Sequence, residues 1–440
     1  MLTREDNERL VRVGPGTPMG EFMRRHWIPF LPGRDLAPDG QPYRVRLLGE
    51  DLVAFRTGQG SIGLVDHACP HRGAPLMFGR NEDDGLRCVY HGWKFHADGS
   101  CLDMPAEPAG TPMLGHVRIK AYPVRERNGV LWTYMGPSAD MPELPELEWN
   151  LVPQPQLALS LRVQECNWLQ ALEGEIDSAH AAILHGRTDS SGTINQWRQA
   201  ADRAPRFECH VHDAGVSIAA LRRADDANDY VRVNQFLAPF WTLVPPQSQY
   251  PELSGHAWVP IDDENTLCLM FSYHPSQPMY DKSLQVFRQG HAGRQSGHPS
   301  DDSFEARAVC EPFHNYWSRF QRANAYGFDY AAQGRSGRYN SGLPGLWIQD
   351  AAAQSGVAPI YDRSREHLGT SDTGIAHTRR FLLQALNAMA RGQTPPSLPP
   401  QPANYMLRAV SITKPSAAPW RSAAEPFLRA RLGEGFGYTP

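Results

Sequence analysis

No apolar run in this 440-residue chain approaches the roughly 20 residues a helix needs to cross a bilayer, so no membrane span is expected. The opening residues, Met1-Leu2-Thr3-Arg4-Glu5-Asp6-Asn7-Glu8-Arg9, carry too much charge for the apolar centre of a signal peptide. An excess of one charge is missing as well. With 43 basic and 47 acidic residues the net charge is −4, which argues against a general nucleic-acid binder and says little more. Repeats and long low-complexity tracts are absent. Cysteine is sparse, seven in all, and five of them (Cys101, Cys166, Cys209, Cys268, Cys310) are scattered without spacing. That argues against a disulfide framework and leads us to expect free thiols in a reducing cytoplasm. At 41% apolar and 20% charged, the balance is that of an ordinary soluble chain with room for two or three domains.

What the chain does hold is one dense stretch, residues 69–93: C-P-H-R-G-A-P-L-M-F-G-R-N-E-D-D-G-L-R-C-V-Y-H-G-W. Two pairs, Cys69-x-His71 and Cys88-x2-His91, are separated by sixteen residues. Soft thiolates and borderline imidazoles suit either zinc or an iron–sulfur cluster. In a two-iron, two-sulfur cluster one iron can take both thiolates and the other both imidazoles. The neutral rings then raise the potential above that of an all-cysteine cluster. Zinc fingers usually pair like ligands at short spacing. Here the types alternate and a glycine, Gly73 or Gly92, closely follows each pair, which favours the cluster.

Around this stretch the pattern is one of short strands from Tyr43 to Tyr134, with a hairpin signal at Asn128-Gly129. Residues 1–40 are mixed. Pro137 to Pro155 carries five prolines without periodicity and reads as a linker. Beyond it, strands are expected over 157–163, 206–211, 216–221, 230–244, 256–260 and 267–273, and a helix near 373–391. Residues 285–345, rich in Gly, Ser, Arg and His, have the character of a lid or interface segment.

A second constellation follows the linker. Asn167 to His185 has a helical period, with Leu169, Leu172, Ile176, Ala179 and Ile183 on the apolar face. Beside them run Glu173, Asp177 and His180, costly to bury without partners. His180 and His185 are five residues apart, about 140° around an ideal helix. For both to reach one metal the helix must loosen or stop between them, and Gly186 is placed to end it. Alone, His-x4-His is a weak signal.

The frame C-P-H-R-G…C-x-Y-H-G-W-x-F resembles the Rieske domain of ring-hydroxylating oxygenases, and Asp-x2-His-x4-His after it resembles their mononuclear iron site. Within that family the segments at 13–20, 167–173 and 359–364 look closest to the phthalate 4,5-dioxygenase-like branch of oxygenase (alpha) subunits. The resemblance implies an α+β protein. After residues 1–40 come a Rieske [2Fe-2S] domain over 41–136, a linker over 137–156 and a catalytic domain over 157–440. The last would be of the helix-grip (Bet v 1-like) kind, an antiparallel sheet under a long C-terminal helix.

It also implies that Cys69, His71, Cys88 and His91 hold the cluster, and that His180, His185 and a downstream carboxylate hold Fe(II). Asp350 is the choice for that carboxylate; Asp362 and Glu366 are the alternatives, in a run of alternating charge that suits ion pairing better. Asp177 would bridge His180 to His91 of a neighbouring subunit, which implies a homotrimer or stacked trimers. Dioxygen is the implied co-substrate, with NADH electrons arriving through a flavin- and [2Fe-2S]-containing reductase. The substrate would be an aromatic acid such as phthalate, and neither nucleic acid nor membrane is an expected partner. Cis-dihydroxylation is the expected reaction, with O-demethylation, another monooxygenation or diaryl-ether dioxygenation as alternatives. A Rieske electron carrier without oxygenase activity is the reading of another class. A substrate carboxylate calls for an arginine fork, for which Arg206, opening a strand after the iron helix, is the candidate. Apolar pocket walls could come from Phe240, Trp241, Leu243, Phe271 and Trp347.

Overall fold

The computed structural model describes residues 2–186, 194–246, 252–281, 304–305, 307–333 and 341–436. Short β-rich runs separated by glycine turns build three small antiparallel sheets in the first third of the chain. Tyr43–Leu47, Glu50–Arg56 and Ile62–Asp66 form a meander. Its first turn, Leu48-Gly49, has φ of +47° and +78°, the geometry of a two-residue hairpin of the I′ kind. The two turn N–H groups donate to the carbonyls of Pro260 and Ile261, so this hairpin tip is pinned to the second domain. Arg80–Glu82, Gly85–Arg87, Lys94–Phe95 and Cys101–Asp103 make a four-stranded sheet that carries the second cysteine loop.

The Asn128-Gly129 hairpin joins Val124–Arg127 to Val130–Tyr134, as expected. A third strand, Trp27–Pro32, pairs with Val130–Tyr134 and moves the edge of this domain into residues read as an N-terminal segment. Pro29 and Pro32 hid it. Proline removes a donor and is tolerated on a sheet edge, where this strand lies. The linker is equally a part of the body: Trp149 is buried and stacks on Phe271 at 4.7 Å and on Trp132 at 5.9 Å. Glu148, also buried, takes the guanidinium of Arg408 and the hydroxyl of Tyr273.

The second domain is a ten-stranded sheet among the described residues, antiparallel except where 317–318 runs parallel to 157–164. Its order runs 206–212, 215–223, 228–237, 241–244, 253–260, 266–273, 157–164, 317–318, 304–305, with 410–415 beside 228–237. The strand expected over 230–244 is two strands that fold back on each other at Ala238-Pro239-Phe240. Of the segment read as a lid, 304–305 and 317–318 extend the sheet, 307–333 otherwise holds the 3-10 segments Arg322–Gly327 and Tyr330–Ala332 among loops, and most of the remainder lies outside the described residues.

Register sorts the sheet into two faces, because strand neighbours in register share a side. On one face Leu161, Leu269, Ala257 and Trp241 fall in line and pack into the common core with the first domain. Trp241 and Phe271, offered above as pocket walls, belong to this face and to that core. The other face carries Arg162, Cys268 and Trp258 in one row and Ser160, Met270, His256 and Thr242 in the next. It is buried yet polar, and helices cover it. The long helix Thr373–Ala390 crosses strands 206–212 and 215–223, where a Cβ at Gly374 would stand 2.7 Å from Ile218 Cγ2. The helices Trp168–Ile176 and Leu346–Ser355 pack on each other. The expected helix-grip arrangement of sheet and long helix is what the chain adopts.

Candidate metal centres

The two cysteine loops are one turn used twice. Cys69 N–H donates to Ala74 O at 2.9 Å and Gly73 N–H to Cys69 O at 2.8 Å. In the second loop Cys88 N–H donates to Trp93 O at 2.8 Å and Gly92 N–H to Cys88 O at 3.1 Å. In both, the fifth residue is a glycine with φ near +75°, a conformation that L side chains rarely adopt. Histidine occupies the third place of one loop and the fourth of the other, and the His71 and His91 rings end 4.4 Å apart. Trp93 stacks flat on His71, also at 4.4 Å. Arg87 fastens the second loop, donating to Gly92 O while paired with Glu82 and Asp103.

Cys69 and Cys88 are buried side by side, and burial pushes the Cys69 thiol up to about 12. Two thiolates can share such a place only with a bound cation. The donor set of two sulfurs inside and two imidazoles outside therefore fits a [2Fe-2S] cluster. Val89, Tyr90 and Phe78 leave apolar surface exposed around it.

The second centre begins at Asn167, whose side chain caps the helix Trp168–Ile176 and also donates to Val11 O and Asp263 O. The expected irregularity is present, earlier than anticipated: the helix stops at Ile176, and a single 3-10 turn spans His180–Ala182. Asp177 makes the break. Its Oδ1 accepts the Ala179 N–H at 2.7 Å, and its Oδ2 lies 3.3 Å from His180 Nδ1. Arg222, from the strand below, holds the intervening Ser178 carbonyl at 2.7 Å.

Freed from helical spacing, His180 Nε2 and His185 Nε2 stand 3.2 Å apart. Asp350 Oδ1, from the helix Leu346–Ser355, is 3.5 Å from the first and 3.2 Å from the second. His185 Nδ1 lies 2.7 Å from Gln349 Oε1. Each ring thus has an outer partner for Nδ1–H, which leaves both Nε2 lone pairs aimed inward. Burial opposes protonation of His180, but Asp177 and Asp350 raise its pKa to about 9. Burial also pushes Asp350 upward, and the two histidines hold it below the usual carboxylate range. Three Lewis bases converging on one point, in a two-histidine, one-carboxylate set, fit a mononuclear iron.

Other residues fall elsewhere. Glu173, which shares the polar line of Asp177 and His180, is buried between Arg363 and Arg379 and does not reach the centre. Asp362 caps a 3-10 turn and Glu366 pairs with Arg379, the ion-pair reading given to that run. Arg206, the candidate for the substrate fork, is not brought to the iron centre among the described residues. It begins the edge strand of the sheet, its side chain is 65% exposed, and its partner is Glu208 at 3.3 Å. Gln349, Arg222 and Arg162 were not singled out from sequence. The visible sign was arginine inside strands that otherwise read as core.

A cluster loop pair on a small antiparallel domain and a facial iron triad under a helix-covered sheet define the class of Rieske non-heme iron oxygenases. Comparison agrees. The family of the Rieske [2Fe-2S] domain matches residues 26–123, and the family described as LigXa C-terminal domain like matches 133–430. The 3-chlorobenzoate-3,4-dioxygenase oxygenase subunit of Comamonas testosteroni is 37% identical over 433 residues, 97% of this chain and 98% of that one. The phthalate 4,5-dioxygenase oxygenase subunit of Pseudomonas putida is 37% identical over 406 residues, 90% and 88% of the two chains. A solved dicamba monooxygenase bound to 3,6-dichlorosalicylic acid has the same fold, with TM-score 0.55 at 16% identity over 84% of this chain and 99% of its own.

The chain belongs to the Rieske oxygenase family, as an oxygenase subunit of the phthalate 4,5-dioxygenase-like branch. A [2Fe-2S] cluster, a mononuclear iron, dioxygen and electrons from a reductase come with that membership. Among the described residues no helix is long and apolar enough to cross a membrane.

Proposed function

We propose that this chain is a terminal oxygenase that uses dioxygen to hydroxylate an aromatic carboxylate, by cis-dihydroxylation. Cys69, His71, Cys88 and His91 hold the cluster, and His180, His185 and Asp350 hold Fe(II). A flavin- and [2Fe-2S]-containing reductase draws the electrons from NADH. The observation that carries the reading is the convergence of two outward-braced imidazoles and one buried carboxylate on a single point. When bound, the iron supplies the place where dioxygen is activated and the cluster supplies electrons to it.

The protein's own residues then have three tasks. Gln349 and Asp177 fix the tautomers of His185 and His180. The helices over the polar sheet face exclude water. Asp177 also links His180 to a cluster histidine of a neighbouring copy. Among the described residues of one chain, neither His71 nor His91 is within hydrogen-bonding distance of Asp177, so the proposed electron path runs between subunits of a homotrimer. The five cysteines outside the cluster, none of them in a disulfide, support a cytoplasmic setting.

The test is NADH oxidation coupled to product identification over benzoate, 3-chlorobenzoate, phthalate, phenoxybenzoate and a methoxybenzoate, with a reductase of the stated kind. A cis-diol or the catechol derived from it is expected from one of the first three. Relatives include the 5,5'-dehydrodivanillate O-demethylase oxygenase subunit of Sphingobium sp., 32% identical over 92% of this chain, and they support a second reading. In that case the methoxy acid is consumed and formaldehyde is released. NADH oxidation with none of the panel converted would overturn both.

A further inference from the structure

With Arg206 at the surface, a carboxylate-bearing substrate lacks a receptor unless another cation faces the iron centre. Eight arginines are buried among the described residues: Arg24, Arg44, Arg162, Arg222, Arg232, Arg363, Arg379 and Arg408. Seven donate at least one hydrogen bond to a carboxylate, hydroxyl, amide or carbonyl oxygen. Arg162 donates none. Its Nε and Nη1 are buried and unpartnered, no described carboxylate is within 4.0 Å of it, and the whole residue is 3% exposed. Its charge reaches Asp350 only from beyond ion-pair distance, and a buried cation without a close counter-ion is costly. A fold that keeps one has an anion to receive.

The position of Arg162 says where that anion would lie. It stands on strand Leu157–Gln164, on the polar face of the sheet, in register with Cys268 and Trp258. The next residue on that face, Gln164, donates to Gln354 Oε1 of the helix that carries Asp350, at 2.7 Å. The Arg162 guanidinium carbon lies over the ring of Trp347 at 4.7 Å. Trp347 precedes Asp350 by three residues on one helix, so the two side chains share a face about 4.5 Å apart along the axis. An arginine spread on an aromatic face keeps its N–H edge for a planar oxyanion, which it can grip through two parallel bonds. Ser160 Oγ, two residues earlier on the same face, is another buried polar atom without a partner.

We propose that Arg162 is the receptor for the substrate's carboxylate and the residue that sets selectivity for aromatic acids. The inference rests on the aromatic-acid reading above. Trp347 holds the guanidinium flat, and the carboxylate on Arg162 fixes which ring carbons face the iron. Arg162 is a positioning and specificity residue; it takes no part in activating dioxygen.

The test is calorimetric binding to the metal-loaded, oxidised full chain, without reductant so that no turnover occurs. The probes are benzoate, 3-chlorobenzoate and phthalate, with benzamide as the neutral partner. In the unaltered chain an acid should bind about 100-fold tighter than benzamide, the order expected for charge-assisted pairing in a buried site. Arg162→Gln should remove that preference and leave benzamide binding within about threefold. Its visible cluster spectrum and iron content should match the unaltered chain, which a mere support for Asp350 would not allow. Arg162→Lys, keeping charge without the fork, should fall between the two.

Acid binding to Arg162→Gln within about threefold of the original would overturn the assignment and leave the aromatic-acid reading standing. No acid bound by the original chain would overturn both. Equal binding of acid and amide by the original chain would overturn the receptor without recourse to any variant.

Discussion

At the scale of single residues, the iron centre depends on where protons are held. Two nitrogens 3.2 Å apart with a carboxylate oxygen at 3.2 and 3.5 Å repel one another unless a cation or shared protons lie between them. The outer contacts of Nδ1 to Asp177 and Gln349 leave the inner nitrogens as the atoms that could bind a metal. Asp350→Ala should therefore remove one iron and spare the cluster. Metal analysis would read about two iron atoms per chain against about three, with the red-brown Rieske spectrum unchanged, since the cluster has its own four ligands. Loss of the cluster spectrum along with the iron would show that the two centres are not independent in the way the structure places them. His180 and His185 were legible from spacing joined to the motif before them. Gln349 was not, because a glutamine beside a metal ligand has no sequence signature apart from its neighbour.

At the scale of elements, the helix Trp168–Ile176 matters as much for its end as for its length. Its buried Glu173 ties it to Arg363 and to Arg379 on the long helix, while Glu366 takes the rest of Arg379. Removing one member of such a buried network leaves uncompensated charge, so Glu173→Gln should cost about 3–5 kcal/mol in chemical denaturation. Burial pushes the Glu173 carboxyl upward, but the two guanidiniums win and hold it below the usual carboxylate range. A folded pKa below the unfolded one adds stability above the unfolded value of about 4.3, and that stability is lost as pH falls through the folded value. Unfolding midpoints of the original and Glu173→Gln should thus converge on acidification. A gap that stays constant from neutral pH to pH 3 would contradict the network's role.

The sequence showed three acidic or basic groups beside an apolar stripe but not which of them would be structural. Sorting Glu173 from Asp177 and His180 required knowing that residues 363 and 379, some 190 and 206 positions away, arrive on that face. The edge strand Trp27–Pro32 was hidden for a different reason, its prolines. The break at Pro239 is marked in the sequence by the proline itself, which sits inside the expected strand 230–244.

At the scale of the whole molecule, the cluster loops present their histidines at an apolar, exposed tip, while the iron triad lies beneath the sheet's covering helices. Short cysteine–histidine motifs carry the first of these faithfully, because all the ligands are local in sequence. The second is assembled from residues 165 to 170 positions apart, and Asp350 is pointed to mainly by the family resemblance, with the aromatic-aliphatic and alanine runs on either side of it. The proposed oligomer is the least local property of all: the surface tip and a half-buried Asp177 would meet only if one copy completes another.

Co-production of two inactive variants tests that claim most directly. His91→Ala disables the cluster side of one chain, and Asp350→Ala disables the iron side of the other. If electrons cross between subunits, mixed oligomers pair an intact cluster with an intact iron, and NADH-driven product formation returns in a fraction of sites. If activity stays at the sum of the two variants alone while mixed oligomers are demonstrably formed, electrons do not pass between copies and the proposed bridge through Asp177 is wrong.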